Sequence, residues 1–154
     1  MLRAAREHTP ESACLARYRR PDPRVRLGRA VAQARAARAA RDLSDGLADA
    51  VQQVAAASGC GAEIDATALS FDEGARRWWE SQGVDPVARA IAGGDDYELL
   101  FAVPPRWQGR LRHATGRAAD PPLTRIGVLT GTRNEYVVVR EGRKERLSGG
   151  FEHW

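Results

Sequence analysis

The sequence predicts an α+β domain, and three patterns carry that expectation. Leu47, Val51 and Val54 recur at i, i+4 and i+7, the spacing of an amphipathic helix. Ala62-Glu63-Ile64-Asp65-Ala66 alternates with the period of a half-buried strand. Leu99 to Val103 is a β-rich apolar run closed by Pro104-Pro105, which predicts a buried strand.

Taken in order, residues 1–16 read as the end of a helix, interrupted at Pro10, so the chain is expected to open inside an element whose beginning is absent. Arg17 to Arg24 contains Pro21 and Pro23, which fix the backbone, and reads as a rigid, solvated basic connector. Val25 to Ala40 is rich in Ala and Arg and predicts a helix with Val25, Ala32 and Ala36 along one side. A short strand is expected near Ala39–Leu43, then a helix from Asp45 to Ser58 stopped by Gly59. Phe71 to Gln82 predicts a helix with Trp78 and Trp79 near its end, one for the core and one for an interface. Val84 to Ala92 is a second short helix ending at Gly93-Gly94, and Arg110 to Thr115 a third. Strands at Leu123–Thr130, Tyr136–Arg140 and Lys144–Leu147, separated by turn residues, read as a three-stranded antiparallel meander.

Asp42-Leu43-Ser44-Asp45-Gly46 sets two carboxylates and a hydroxyl just before a helix. A helix start offers free N–H groups and a positive dipole end, which suit phosphate. Carboxylates beside it suit a hard cation such as Mg²⁺, which takes oxygen ligands and bridges to phosphate. The plainer reading is that Ser44 or Asp42 caps the helix and the acids favour its dipole. A second acidic group, Asp95, Asp96 and Glu98, stands at the mouth of the apolar strand after Gly93-Gly94, where the glycines let the backbone approach a ligand. A solvated turn reads equally well there.

Composition excludes several classes. A chain of 154 residues suffices for one domain with a real core. No run approaches the roughly 20 apolar residues of a membrane span, and Met1 to Arg6 lacks the apolar core of a secretion signal. Cys14 and Cys60 have no CxxC spacing and read as reduced thiols, so a cytoplasmic location is expected. The net charge is +4, and Lys144 is the single lysine. The arginines run along a chain with 20 acidic residues and no RNA- or DNA-binding motif, so an Arg-rich nucleic-acid binder is a third and weaker reading. His8, His113 and His153 lack zinc spacing. There is no GxSxG or Cys–His signature and no Walker A or kinase-type Gly-rich loop.

Asp42-Leu43-Ser44-Asp45-Gly46-Leu47, Gly93-Gly94-Asp95-Asp96-Tyr97-Glu98-Leu99 and Gly150-Phe151-Glu152-His153-Trp154 together resemble thiamine-monophosphate kinase, in the order and approximate spacing of that family's C-terminal domain. Arg19-Arg20-Pro21, Ala57 to Ala62 and Ile126-Gly127 support the likeness, which runs from about Leu15 to Trp154. Aminoimidazole ribonucleotide synthetase, selenophosphate synthetase and a hydrogenase maturation factor share the superfamily. The resemblance implies a mixed sheet with helices packed over it. It also implies transfer of the γ-phosphate of ATP to thiamine monophosphate, giving thiamine diphosphate, with several Mg²⁺ ions and no phosphoenzyme. On the matching positions, Asp42 and Asp45 would hold Mg²⁺ and Ser44 would contact ATP phosphate. Asp95 would bind the thiamine end of the substrate and Trp154 would pack on its ring.

The chain departs from the family pattern at Asp95, where Glu is usual, and at Trp154, where Phe is usual. It is also expected to lack the N-terminal domain that carries further Mg²⁺-binding acids, much of the ATP site and the dimer contact. The chain is therefore expected to be one incomplete C-terminal domain, inactive alone, with a separate N-terminal half or a homodimer partner completing it. A non-catalytic ligand-binding or partner domain that keeps the fold is the alternative.

Overall fold

The computed structural model describes residues 13–118 and 122–147. Six helices, α1 (Ala13–Arg19), α2 (Val25–Gln33), α3 (Leu47–Ala57), α4 (Glu73–Ser81), α5 (Pro86–Ala92) and α6 (Gln108–Ala118), accompany six strands among them. The strands are β1 (Ala39–Asp42), β2 (Gly61–Asp65), β3 (Leu99–Ala102), β4 (Gly127–Thr130), β5 (Tyr136–Arg140) and β6 (Arg143–Arg146). The α+β expectation therefore holds, with helices packed over a mixed sheet.

The strands form two sheets. β1 and β3 make an antiparallel pair, and the other four stand in the order β4-β2-β5-β6. β2 runs antiparallel to β4 and parallel to β5, with Ala62 opposite Tyr136 and Ile64 opposite Val138. This corrects the expected meander: β4 and β5 are consecutive but diverge to bracket β2. The connection between them closes over the start of β2, where a Cβ on Gly61 would lie 2.1 Å from the Thr132 carbonyl oxygen. Only a glycine permits that approach. β3 is half-buried along its length, because its sole partner is β1.

α3 is the helix around which the larger core forms. It buries Leu47, Ala48, Val51 and Ala55 against Ala62 and Ile64 of β2, Val138 of β5, Ile91 and Leu147. Full burial of each large aliphatic side chain contributes roughly 1.5–3 kcal/mol, and the interspersed alanines let the helix lie close to the sheet. As expected, Gly59 stops it in the left-handed region at φ 63, while the Cys60 N–H reaches the Ala55 carbonyl at 2.9 Å. A second core joins Leu27, Val31 and Ala36 to Leu99, Phe101, Leu111 and Leu123.

Some boundaries differ from expectation for local reasons. α2 ends at Gln33 rather than Ala40, because Arg35 takes the left-handed conformation at φ 47 and the Ala36 N–H closes on the Val31 carbonyl. The chain thereby frees Ala39 to Asp42 to pair with β3. The buried face of α2 is Leu27 and Val31, and Val25 is exposed. α4 starts after Asp72, whose carboxylate accepts from the Gly74 and Ala75 amides. It buries no residue fully, so neither Trp78 nor Trp79 is a core side chain. Asp85 caps α5 and pairs with Arg140 of β5, and that hydrogen bond holds its carboxyl below the usual range. Among the described residues no helix is long and apolar enough to cross a membrane.

Candidate functional site

Because β1 and β3 are antiparallel, with Asp42 opposite Leu99, the exit of one and the entrance of the other lie at the same end. That end carries both acidic stretches. The Leu43 N–H donates to the Glu98 carbonyl and the Asp95 N–H to the Ser44 carbonyl, each at 2.9 Å. Gly46 has φ 95, and a Cβ there would stand 2.4 Å from the Gly93 carbonyl oxygen. The two loops are thus fastened back to back, and the missing side chain of Gly46 is what lets them meet.

Tyr97 is bonded to Asp95 and feels the charges of the first loop. Its hydroxyl donates to Asp95 Oδ1 at 3.2 Å. Its pKa is raised first by that bond and by the Asp95 charge, with smaller contributions from loss of solvent and from the charges of Asp42 and Asp45. Three carboxylates, 42, 45 and 95, therefore act on one phenol. Asp95 and Tyr97 both adopt positive φ, 68 and 51. Such backbone costs energy for non-glycine residues and persists where the surroundings enforce it.

Ser44 does not cap α3. The N-cap is Gly46, which makes no side-chain cap bond. The Ser44 hydroxyl and the Asp42 carboxylate make no hydrogen bond or ion pair among the described residues. The capping reading of this stretch is thereby corrected: Gly46, at φ 95, and not Ser44 stands at the N-cap. Arg41 lies 3.5 Å from both Asp45 and Asp49, and its buried Nε has no hydrogen-bond partner among the described residues.

A clamp behind the second loop was not legible in the sequence. Arg24, expected in a solvated connector, is 8% exposed. Its guanidinium grips Glu98 through Nε at 3.0 Å and Nη2 at 2.8 Å, while Asp22 holds its Nη1 at 3.0 Å and its backbone N–H at 3.1 Å. Arg17 also bonds Glu98. Asp96 next to this clamp keeps solvent access, yet the protein around its carboxyl and the nearby Glu98 push it up to about 6, with Arg17 opposing. The one hint in the sequence was the Asp22-Pro23-Arg24 spacing; its partner lies 74 residues away.

Of the residues singled out from the sequence, the fold brings Asp42, Ser44, Asp45 and Asp95 to one end of the β1–β3 pair. Trp154 lies outside the described residues. The donors are carboxylates and a hydroxyl, hard oxygen ligands that suit Mg²⁺ better than a soft metal. Among the described residues no three or more His, Cys, Asp or Glu side chains close on a metal by themselves. Mg²⁺ does not require that, since it is commonly held by one or two carboxylates, phosphates and water. A separate open depression of about 420 Å³, lined by Glu63, Asp65, Arg125 and Val139 among others, draws none of its lining from the two motif loops.

Comparison with known proteins agrees with this geometry. Residues 4–140 match the family model of the AIR synthase related protein, C-terminal domain. The thiamine-monophosphate kinase of Escherichia coli K12 is 36% identical over 139 residues, which are 90% of this chain and 41% of that protein. That of Caulobacter vibrioides is 39% identical over 119 residues, 76% of this chain and 33% of the relative. Among solved structures, AaThiL complexed with AMPPCP and TMP superposes with a TM-score of 0.73 at 28% identity, covering 99% of this chain and 45% of that one. Thiamine-monophosphate kinase from Stenotrophomonas maltophilia gives 0.68 at 34% identity, covering 82% and 37%. The chain spans less than half the length of these relatives. A match over nearly the whole chain, on a fold that unites both motif loops, means that the chain belongs to the AIR synthase related family of C-terminal domains, in a form similar to that of thiamine-monophosphate kinases.

Proposed function

We propose that this chain is the C-terminal part of a kinase that transfers the γ-phosphate of ATP to thiamine monophosphate, giving thiamine diphosphate. The observation that carries the reading is the fastening of the Asp42–Gly46 loop to the Gly93–Glu98 loop through Gly46, with Asp95 held by the Tyr97 hydroxyl. AaThiL binds AMPPCP, an ATP analogue, and TMP, which supports a nucleotide and a phosphorylated substrate as ligands of this fold. The same reading puts the chain in the cytoplasm, where ATP is available.

In this reading each residue has a stated task. Asp42 and Asp45 would hold Mg²⁺. The Ser44 hydroxyl, unengaged among the described residues, donates to a phosphate oxygen beside the start of α3. Mg²⁺ when bound neutralises charge on the phosphate oxygens. Asp95, held in place by Tyr97, takes the thiamine end of the substrate, and Trp154 stacks on its ring. The chain needs no covalent intermediate, because positioning and electrostatics supply most of the acceleration in phosphoryl transfer. The remaining donors belong to the region of the relatives that this chain does not span, so the chain alone is inactive and works with an N-terminal half or in a homodimer.

The test is product formation by the chain assembled with an N-terminal half, comparing Asp45→Asn and Asp42→Asn with the unaltered chain. A fall of about a hundredfold or more is expected, the size typical of losing one preorganised electrostatic contact. Variants that keep a rate within about threefold, well below that size, would move these acids back to the plainer role of favouring the helix dipole.

A further inference from the structure

Along the sequence the arginines run among acids, but the fold segregates them. Residues 25–38, which contain α2 and lead into β1, have no Asp or Glu, and neither do residues 103–118, which contain α6. The two stretches pack on each other through Leu27, Val31, Ala36 and Leu111. Together they carry eight arginines, whereas the rest of the chain has sixteen basic and twenty acidic residues. The seven of these arginines whose side chains are described are all exposed. None of the seven makes an ion pair among the described residues, while Arg17, Arg24, Arg41 and Arg140, outside these stretches, do.

The concentration is greatest at Trp107, which is half-buried at the start of α6. The guanidiniums of Arg38, Arg110 and Arg106 stand 4.8, 5.2 and 5.8 Å from its ring centre. Cation–π attraction gives each about 0.5–1 kcal/mol at an exposed site, but it leaves three like charges side by side that make no ion pair among the described residues. A polyanion supplies the missing counter-charge. Guanidinium forks match the paired oxygens of phosphate, and arginine is favoured over lysine for that geometry.

We propose that this α2–α6 face binds a nucleic-acid strand through its phosphodiester backbone, with Arg38, Arg106 and Arg110 on the phosphates and Trp107 holding their guanidiniums in place. An acidic protein segment fits less well. Protein interfaces draw their energy from buried apolar and aromatic anchors, and Val25 is the one large side chain of these two stretches that stands among the exposed hydrophobics of the described residues. The binding is indifferent to sequence, because nothing here is arranged to read base edges. It is also independent of the kinase reading, since none of these residues belongs to the two motif loops.

The experiment is fluorescence anisotropy of the full chain with labelled single-stranded RNA and DNA of about 20 nucleotides, from about 50 to 200 mM salt. Binding in the micromolar range at the lowest salt is expected, weakening steeply as salt rises. The triple variant Arg38→Gln, Arg106→Gln, Arg110→Gln should weaken it at least about tenfold and flatten the log–log salt slope by about 2, at about 0.7 per phosphate contact on a single strand. Arg110→Gln alone, a single change at an exposed position, should weaken binding about twofold, roughly a third of the triple effect on a logarithmic scale. Arg76→Gln with Arg77→Gln on α4, both already ion-paired, should change nothing. Absence of binding at the lowest salt, or variants that bind as the parent does, would overturn the proposal. So would a polyglutamate of equal charge competing as well as unlabelled RNA, which would mark the face as one for acidic protein.

Discussion

Gly46→Ala should separate the two halves of the site. The new methyl carbon would stand 2.4 Å from the Gly93 carbonyl oxygen, in a backbone of φ 95 and ψ 167. That region belongs to glycine and costs another residue about 1–3 kcal/mol. Ordinary contact begins at 3.4 Å, so the loops must part by about 1 Å. Such a shift takes the 2.9 Å bond from the Asp95 N–H to the Ser44 carbonyl beyond hydrogen-bond range, a loss of about 1 kcal/mol. The total, about 2–4 kcal/mol, is a large part of the 5–15 kcal/mol typical of a domain. It lowers Tm by about 5–15 °C. Gly83→Ala is the matched control: its φ is also positive, 68, but nothing lies within 4 Å of the added carbon. It should cost only about 1 kcal/mol. Urea unfolding of both variants, with hydrogen exchange at the Asp95 amide, makes the comparison. If Gly46→Ala is no less stable than Gly83→Ala and the Asp95 amide stays protected, the loops are not fastened as described.

Three further outcomes follow from the same structure. Arg24→Gln removes a buried guanidinium that satisfies Glu98 and Asp22; it should cost about 2 kcal/mol by urea unfolding, less than a fully buried pair because Glu98 is partly exposed, and an unchanged midpoint would remove the clamp from the account. Asp96, raised to about 6 in the folded chain, binds its proton more tightly there than when unfolded, so its contribution is full below about pH 4 and is lost as pH rises to about 6. Without added cation, the parent should lose about 1 kcal/mol relative to Asp96→Asn between pH 4 and 7, after discounting for solvent screening; a difference constant with pH would contradict this. Gly116→Ala, inside α6 with nothing within 4 Å of the added carbon, should raise stability by about 0.5–1 kcal/mol in the same assay, and a loss would show that this glycine has a role beyond the helix.

The sequence made legible those features whose causes are local. α3 was visible because Leu47, Val51 and Val54 repeat at helical spacing and Gly59 supplies the left-handed stop. β2 was visible because Ala62 and Ile64 alternate with Glu63 and Asp65, and the pleat puts one pair on α3. The sheet order was not, because a short connection between β4 and β5 looks like a hairpin whether or not a third strand slips between them. The end of α2 was hidden for a similar reason: Arg35 adopts a conformation that its side chain disfavours, and only the pairing of β1 with β3 accounts for it. At the site, Asp42, Ser44, Asp45 and Asp95 stood out as oxygen donors beside glycines, and the fold unites them. Arg24 did not stand out, since a charge in a proline-rich connector is ordinarily solvated, and its burial depends on a glutamate far along the chain. Asp96 and Tyr97 were in view as neighbours, but their perturbation comes from groups that only the fold assembles.

The central claim is that this chain supplies one part of a phosphoryl-transfer site and works with another. It is tested most directly by measuring thiamine diphosphate formed from thiamine monophosphate, ATP and Mg²⁺, first with the chain alone and then with a separately expressed N-terminal half of a related kinase. The account predicts no product from the chain alone and turnover once the half is added, lost again with Asp45→Asn. Turnover by the chain alone would contradict the need for a second half. A folded assembly that forms no product would contradict the kinase reading itself and leave a domain that binds without catalysing.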